Sequence, residues 1–168
     1  VHVFGRKNNA TIWNYRTSDL VVGVAVSRDG TTIATGGYDG YFRVFGRTSN
    51  ATLIPYYTGA TIYKAIALAS DGSTIACGNA NGVNSGAFLC SKNIALLWDF
   101  SLGGSVAGAP SAIPGPAVGI SGDGSLIAYG CDDNKLYVFQ YDTTLPVLGT
   151  PNALPSSPVS GQSVNISI

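Results

Sequence analysis

A chain of 168 residues is long enough for one ordinary domain, and with 45% hydrophobic and 11% charged residues it can bury a substantial core. Nine basic residues balance nine acidic ones, which argues against a surface built for nucleic acid or anionic lipid, since both call for a basic excess. All nine acids are Asp, Glu and Met are absent, and Gly reaches 22; with two good helix formers missing and Val, Ile, Thr and Tyr common, the chain reads as all-β. No apolar run of about 18 residues is present, so no transmembrane helix and no membrane insertion are expected.

In chain order, Val1 to Gly5 and Thr11 to Thr17 read as two short strands, the end of one unit (residues 1–20). The chain opens at Val1 without a signal-like stretch, so a processed or cut chain is expected. The next unit, residues 21–58, is the clearest. Val22, Val24 and Val26 alternate with small residues, Asp29-Gly30 turns the chain, Ile33 to Gly36 runs back, Asp39-Gly40 turns it again, and a strand ending at Phe45 follows. β-branched and aromatic runs between Asp-Gly turns predict an antiparallel meander. Thr52 to Thr58 supplies a fourth strand, with Pro55 tolerable on an edge.

The pattern recurs. The first turns fall at Asp29-Gly30, Asp71-Gly72 and Asp123-Gly124, each followed by Ile-Ala-x-Gly; the second fall at Asp39-Gly40, Asn81-Gly82 and Asp133-Asn134. The third strands are expected to end in Phe45, Trp98 and Phe139. Residues 59–113 form the second full unit, with an insertion at 81–93 that lengthens its second turn, and residues 114–153 form the third. Proline-bearing segments Ser105 to Ile113 and Leu145 to Ala153 take the edge-strand place, and residues 159–168 (Ser163 to Ile168 above all) read as the first strand of a further unit. A repeat of this length means propeller blades rather than solenoid turns. The expected fold is therefore an all-β propeller of four-stranded antiparallel blades, a partial ring of three to four blades.

The motif V-x-x-V-A-V-S-x-D-G-x-x-I-A-x-G-x-x-D-G-x-x-x-V-F resembles WD40-like repeats. With the preceding I-W-N-Y-R-T it looks closer to the PQQ-like propeller repeats of prokaryotic and archaeal surface proteins. The Gly-His pair of the WD40 repeat is missing, and Trp-Asp occurs once, at Trp98-Asp99, so that family's buried Asp–His–Ser–Trp network is not carried over. The resemblance covers nearly the whole chain and is specific for the fold rather than for a function.

The five turn residues Asp29, Asp71, Asp123, Asp39 and Asp133 read as turn formers, because an Asp beside Gly or Asn bonds its own backbone. Asp132-Asp133-Asn134 lacks the ligand spacing of a calcium loop. His2 is the sole histidine; it builds neither a His-based metal site nor a triad. No catalytic residue, metal or cofactor is assigned, and the chain reads as non-enzymatic. Trp13, Tyr15, Tyr56, Tyr57 and Tyr63 are expected in the core between blades rather than on a ligand platform.

Asn9-Ala10-Thr11 and Asn50-Ala51-Thr52 are N-glycosylation sequons at equivalent places in successive repeats, on the loop between third and fourth strands. A third, Asn165-Ile166-Ser167, falls on a predicted inner strand. Cys77 reads as a small core residue. Cys90, in the insertion, and Cys131, beside the equivalent turn of the next blade, are expected to form a disulfide in an oxidising compartment.

The reading is an extracellular or cell-surface propeller serving as a structural or binding scaffold. Its ring is completed by a protein partner or by the remainder of the same chain, in a homo-oligomer or larger assembly, with no nucleic acid partner. The alternatives are an intracellular WD-like interaction platform, a carbohydrate-binding propeller and, by resemblance, a fragment of a quinone-cofactor dehydrogenase.

Overall fold

The computed structural model describes residues 1–57, 62–79, 86–92, 97–101, 117–131 and 133–141. Within them every regular element is a strand. β1 (His2–Phe4) pairs with β2 (Thr11–Asn14) in a two-stranded sheet. β3 (Val21–Val26), β4 (Thr32–Gly37), β5 (Tyr41–Gly46) and β6 (Thr52–Tyr57) form a four-stranded sheet in sequence order. β7 (Ile62–Leu68), β8 (Thr74–Asn79), β9 (Gly86–Ser91) and β10 (Trp98–Ser101) form a second. β11 (Val118–Ile120), β12 (Leu126–Gly130) and β13 (Leu136–Gln140) make a three-stranded sheet. All pairings are antiparallel between chain neighbours. These are the expected propeller blades, and the ring they start is not closed.

Period-2 alternation gives each blade two apolar faces, and each face finds the next blade. Trp13, Ile33 and Phe45, with Val1, Val3 and Tyr15, fill the space between the β1–β2 sheet and the first full blade. Ala34, Phe42, Val44 and Ile54 meet Ile66, Ile75, Cys77 and Cys90 between the first and second. Ala76, Ala87 and Leu89 meet Val118, Ile127 and Tyr129 between the second and third. Side chains as large as Phe42, Phe45 and Tyr129 are fully buried, each worth about 1.5–3 kcal/mol of transfer free energy.

The second blade departs from the expected register. Its third strand is β9, not the run ending at Trp98; Ile75 pairs with Cys90 as Ile33 pairs with Phe45 and Ile127 with Phe139. Cys90 thus fills the place of an aromatic. Trp98 pairs with Leu89 on the outer strand, as Ile54 pairs with Val44. The expected insertion at 81–93 therefore contains a core strand. The expected edge strands at 105–113 and 145–153 and the strand at 163–168 lie outside the described residues.

Candidate functional site: the polar seams between blades

Among the described residues, the turn carboxylates at the two ends of the blades hold networks of side-chain hydrogen bonds and ion pairs. At the first turn the chain makes a four-residue loop rather than a two-residue primed hairpin. Gly30 N–H donates to Ser27 C=O at 2.9 Å and Ser27 N–H to Thr32 C=O at 3.0 Å. The left-handed φ falls on Gly30, Gly72 and Gly124, not on the Asp. The Asp carboxylate ties the loop instead. Asp29 accepts the Ser27 hydroxyl at 2.6 Å and the Thr31 N–H at 2.9 Å. Asp71 accepts the Ser73 N–H at 2.9 Å. Asp123 accepts the hydroxyls of Ser121 and Ser125 and the Ser125 N–H. These donors favour the ionised form: the Ser27 hydroxyl first holds Asp29 below the usual carboxylate range, the Ser73 N–H does so for Asp71, and the Ser121 hydroxyl brings Asp123 to about 2.

A pH dependence follows. A folded-state pKa depressed below the unfolded 3.8 adds stability that is present above pH 3.8 and lost as pH falls toward about 2. The urea midpoint of the wild type should therefore fall steadily between pH 4 and pH 2, and Asp123→Asn should flatten part of that slope. An unchanged slope in the variant would remove Asp123 from the account.

The position between Ser and Asp joins blade to blade. Arg28 N–H donates to Ser70 C=O at 3.0 Å, and Ser70 N–H donates to Gly122 C=O at 2.8 Å. These are repeat-equivalent residues, so backbone bonds run as a belt across three blades. The turn glycines sit against the same belt: a Cβ on Gly72 would lie 2.5 Å from Thr32 Oγ1, and one on Gly124 would lie 2.9 Å from Thr74 Oγ1.

At the other end, Asp39 and Arg43 form a buried ion pair of 2.8 Å, with side chains 4% and 7% exposed. The Asp39 carboxylate also accepts N–H groups of Tyr41 and Ser18, and the Arg43 guanidinium lies 4.6 Å over the Tyr41 ring and 5.6 Å over Tyr15. Tyr15 and Ser18 follow β2, so the cluster clamps one blade to the next. Burial pushes the Asp39 carboxyl up, and the Arg43 and N–H bonds outweigh it, leaving it below its ordinary value. In the third blade Asp133 takes the equivalent turn and accepts the Tyr137 hydroxyl at 2.8 Å, Tyr137 standing where Arg43 stands. Sequence reasoning missed Arg43; its signal was an acid in a hairpin turn and a base four residues later.

Each of the five turn Asp residues lies in a turn, as expected. Trp13 is buried with Phe45 and donates its indole N–H to Arg47 C=O at 2.8 Å. Tyr15 and Tyr56 pack on the cores, but Tyr57 is exposed and meets the Tyr41 ring at a tilt of 50° with centroids 5.0 Å apart; Tyr63 lies on β7. His2 stacks on Phe4. Among the described residues no group of three or more His, Cys, Asp or Glu converges, and no helix is long and apolar enough to cross a membrane. Asn9 and Asn50 are both exposed on third-to-fourth-strand loops, Asn9 with φ 51° and Asn50 donating Nδ2–H to Asn14 C=O. Asn165 lies outside the described residues.

The expected Cys90–Cys131 disulfide is not made. Cys90 points into the core between the first and second blades beside Cys77, whereas Cys131 belongs to the next core. The Cys77 thiol is pushed well above its ordinary range by its bond to Cys90 and by burial, so neither burial nor ionisation favours reaction. A thiol reagent should label Cys77 and Cys90 only after denaturation, and a non-reducing peptide map should show no 90–131 link. Recovery of that link would reverse the assignment.

Comparison with known proteins agrees with this geometry. Residues 9–45 match the WD40 family, described as WD domain, G-beta repeat. The match runs from just before β2 to β5 and so straddles two blades. No curated protein matches the chain. Among solved structures the chain is similar to BamB from Moraxella catarrhalis, with 16% identity over 82% of this chain and a TM-score of 0.64; it spans 39% of the length of that chain. The chain thus folds as a run of β-propeller blades, of which residues 9–45 match a WD40 repeat.

Proposed function

We propose that these blades act as a non-enzymatic scaffold at the cell surface or outside the cell, docking protein by packing further β structure on their open faces. The observation that carries this is the outward face of the third blade. Leu126, Leu136 and Val138 share it and are exposed, Leu136 by 62%, whereas the repeat-equivalent Phe42 and Val44, and Ala87 and Leu89, are fully buried under the next blade. A contiguous apolar face of this kind marks an interaction surface. The described turn carboxylates, meanwhile, are engaged in holding turns and seams. The exposed sequons at Asn9 and Asn50 and the low charge support an extracytoplasmic home.

The test is labelling of intact cells with a membrane-impermeant amine cross-linker, read at Lys7 and Lys135. The scaffold reading expects both to react before lysis and Lys135 to give cross-links to another polypeptide. Reaction only after lysis overturns the location, and cross-links confined to the chain itself overturn the docking role. Expression through a eukaryotic secretory pathway should add glycan mass that Asn9→Gln and Asn50→Gln remove.

A further inference from the structure

The second blade holds two thiols together on the face it turns to the first. Ile75 pairs with Cys90 and Cys77 with Phe88, so the cysteines are diagonal neighbours on adjacent strands and share that face. Both are 0% exposed, and both belong to the core that contains Phe42, Val44 and Ile54 of the first blade. Their side chains are hydrogen bonded to each other. The repeat-equivalent places hold no such couple: Thr35 and Phe45 stand there in the first blade, Tyr129 and Phe139 in the third.

The same face reaches solvent at its outer strand. Asp99 pairs with Phe88 from the outer side as Cys77 does from the inner, which puts an exposed carboxylate on that face, two strands out from Cys77. Across the seam, Tyr56 on the outer strand of the first blade is half-buried and packs on the same core. Burial first, and then Cys90, Asp99 and Cys77, push its hydroxyl above the ordinary range. A carboxylate at the rim, an aromatic ring beside it and two thiols beneath thus follow one another from solvent to core.

Two chemistries suit thiols in contact. A disulfide needs Cβ atoms about 3.5–4.5 Å apart and cannot bridge Cα atoms beyond about 7 Å without backbone movement. Diagonal neighbours on paired strands stand about 7–8 Å apart, so closing the bond would strain the β8–β9 ladder. An ion between the sulfurs asks less, because two metal–sulfur bonds of about 2.3 Å span about 4.6 Å. Zinc calls for four ligands, and among the described residues no third His, Cys, Asp or Glu joins the pair. Copper(I) is soft, selects sulfur and is satisfied by two ligands in line. We propose that Cys77 and Cys90 form a two-coordinate copper(I) site between the first and second blades, entered past Asp99 and Tyr56. Binding involves no redox change. Cu⁺ displaces one thiol proton to solvent and is held by one thiolate and one thiol sulfur, so the apolar core stays neutral. A bare ion is smaller than an organic thiol reagent, and it trades a proton for a metal bond rather than adding bulk. The site does not depend on the scaffold reading.

The test is anaerobic titration of the reduced 168-residue chain with copper(I) supplied as its acetonitrile complex, read by native mass spectrometry and by thiolate-to-copper absorption in the ultraviolet. One ion per chain is expected, with an affinity that rises about tenfold per pH unit as one proton is released, and no comparable uptake of zinc. Cys77→Thr places there the residue type that the first blade buries at Thr35; it should keep the fold, read by far-ultraviolet circular dichroism, and weaken copper binding at least a hundredfold. Cys90→Ala should weaken it as much, and Cys131→Ser, in the other core, should leave it unchanged. Asp99→Asn should slow loading at low salt without changing the affinity, and Tyr56→Ala should speed it. Absence of copper binding, undiminished binding by folded Cys77→Thr, loss of binding in Cys131→Ser, or equal uptake of zinc overturns the site. Loading rates unchanged in both Asp99→Asn and Tyr56→Ala overturn the entry route. Ready formation of a 77–90 disulfide in the copper-free native chain under mild peroxide would likewise overturn the site, by showing that the two sulfurs close to bonding distance.

Discussion

Gly72→Ala should destabilise the protein by about 2–5 kcal/mol, well beyond the effect of the same change at Gly30. Two costs add at Gly72. Its φ of 68° is left-handed, which costs an L-residue about 1–2 kcal/mol. Its Cβ would also stand 2.5 Å from Thr32 Oγ1 and 2.6 Å from Thr32 Cβ across the seam, and overpacking of that kind costs about 1–3 kcal/mol. Gly30 has a φ of 69° but open space around it, so only the first cost of about 1–2 kcal/mol applies. Urea midpoints of the two variants measure the difference directly. Equal losses would mean that the seam at Thr32 yields without cost.

Asp39→Ala should cost about 3–5 kcal/mol, because it leaves a guanidinium buried without its counter-charge. Arg43 is 7% exposed on its side chain and lies over the Tyr15 and Tyr41 rings. Adding Arg43→Met to Asp39→Ala should restore part of the loss, since an apolar replacement of a buried pair is often neutral. Recovery is incomplete because the Ser18 and Tyr41 N–H groups lose their acceptor as well. The pair is shielded from counter-ions, so the loss should change little between low and high salt. A loss below about 1 kcal/mol, the size of a surface pair, or one abolished by salt, would show the pair to be solvated.

The blades were readable because their markers are local. Asp29-Gly30 and Asp123-Gly124, each with an Ile-Ala strand behind it, set two registers within a few residues. The second blade was misread where the marker failed. β9 reads GAFLCS, with no aromatic at its end, and it puts Cys90 where the other blades carry Phe. The next aromatic downstream, Trp98, took its place in the reading. The disulfide expectation fell with it, because a cysteine assigned to a protruding turn was in fact a core side chain. Turn carboxylates were legible for the same reason as turns: their partners are two residues away. The Asp39–Arg43 clamp was half legible, since its ion pair is local but its Tyr15 and Ser18 contacts depend on how blades stack.

The belt from Arg28 through Ser70 to Gly122 has a kinetic consequence. Each blade is coupled only to its immediate neighbours, so resistance to opening approximates a sum of blade and seam contributions. The second blade has a seam on both sides, and its β7–β8 hairpin carries belt contacts at Ser70, glycine contacts at Gly72 and Thr74, and core contacts along both strands. Amide exchange should therefore be slowest at Ile75, Ala76 and Leu89 and quicken outward toward β1 and β13, each seam acting as one step in a graded opening rather than one part of a single cooperative event.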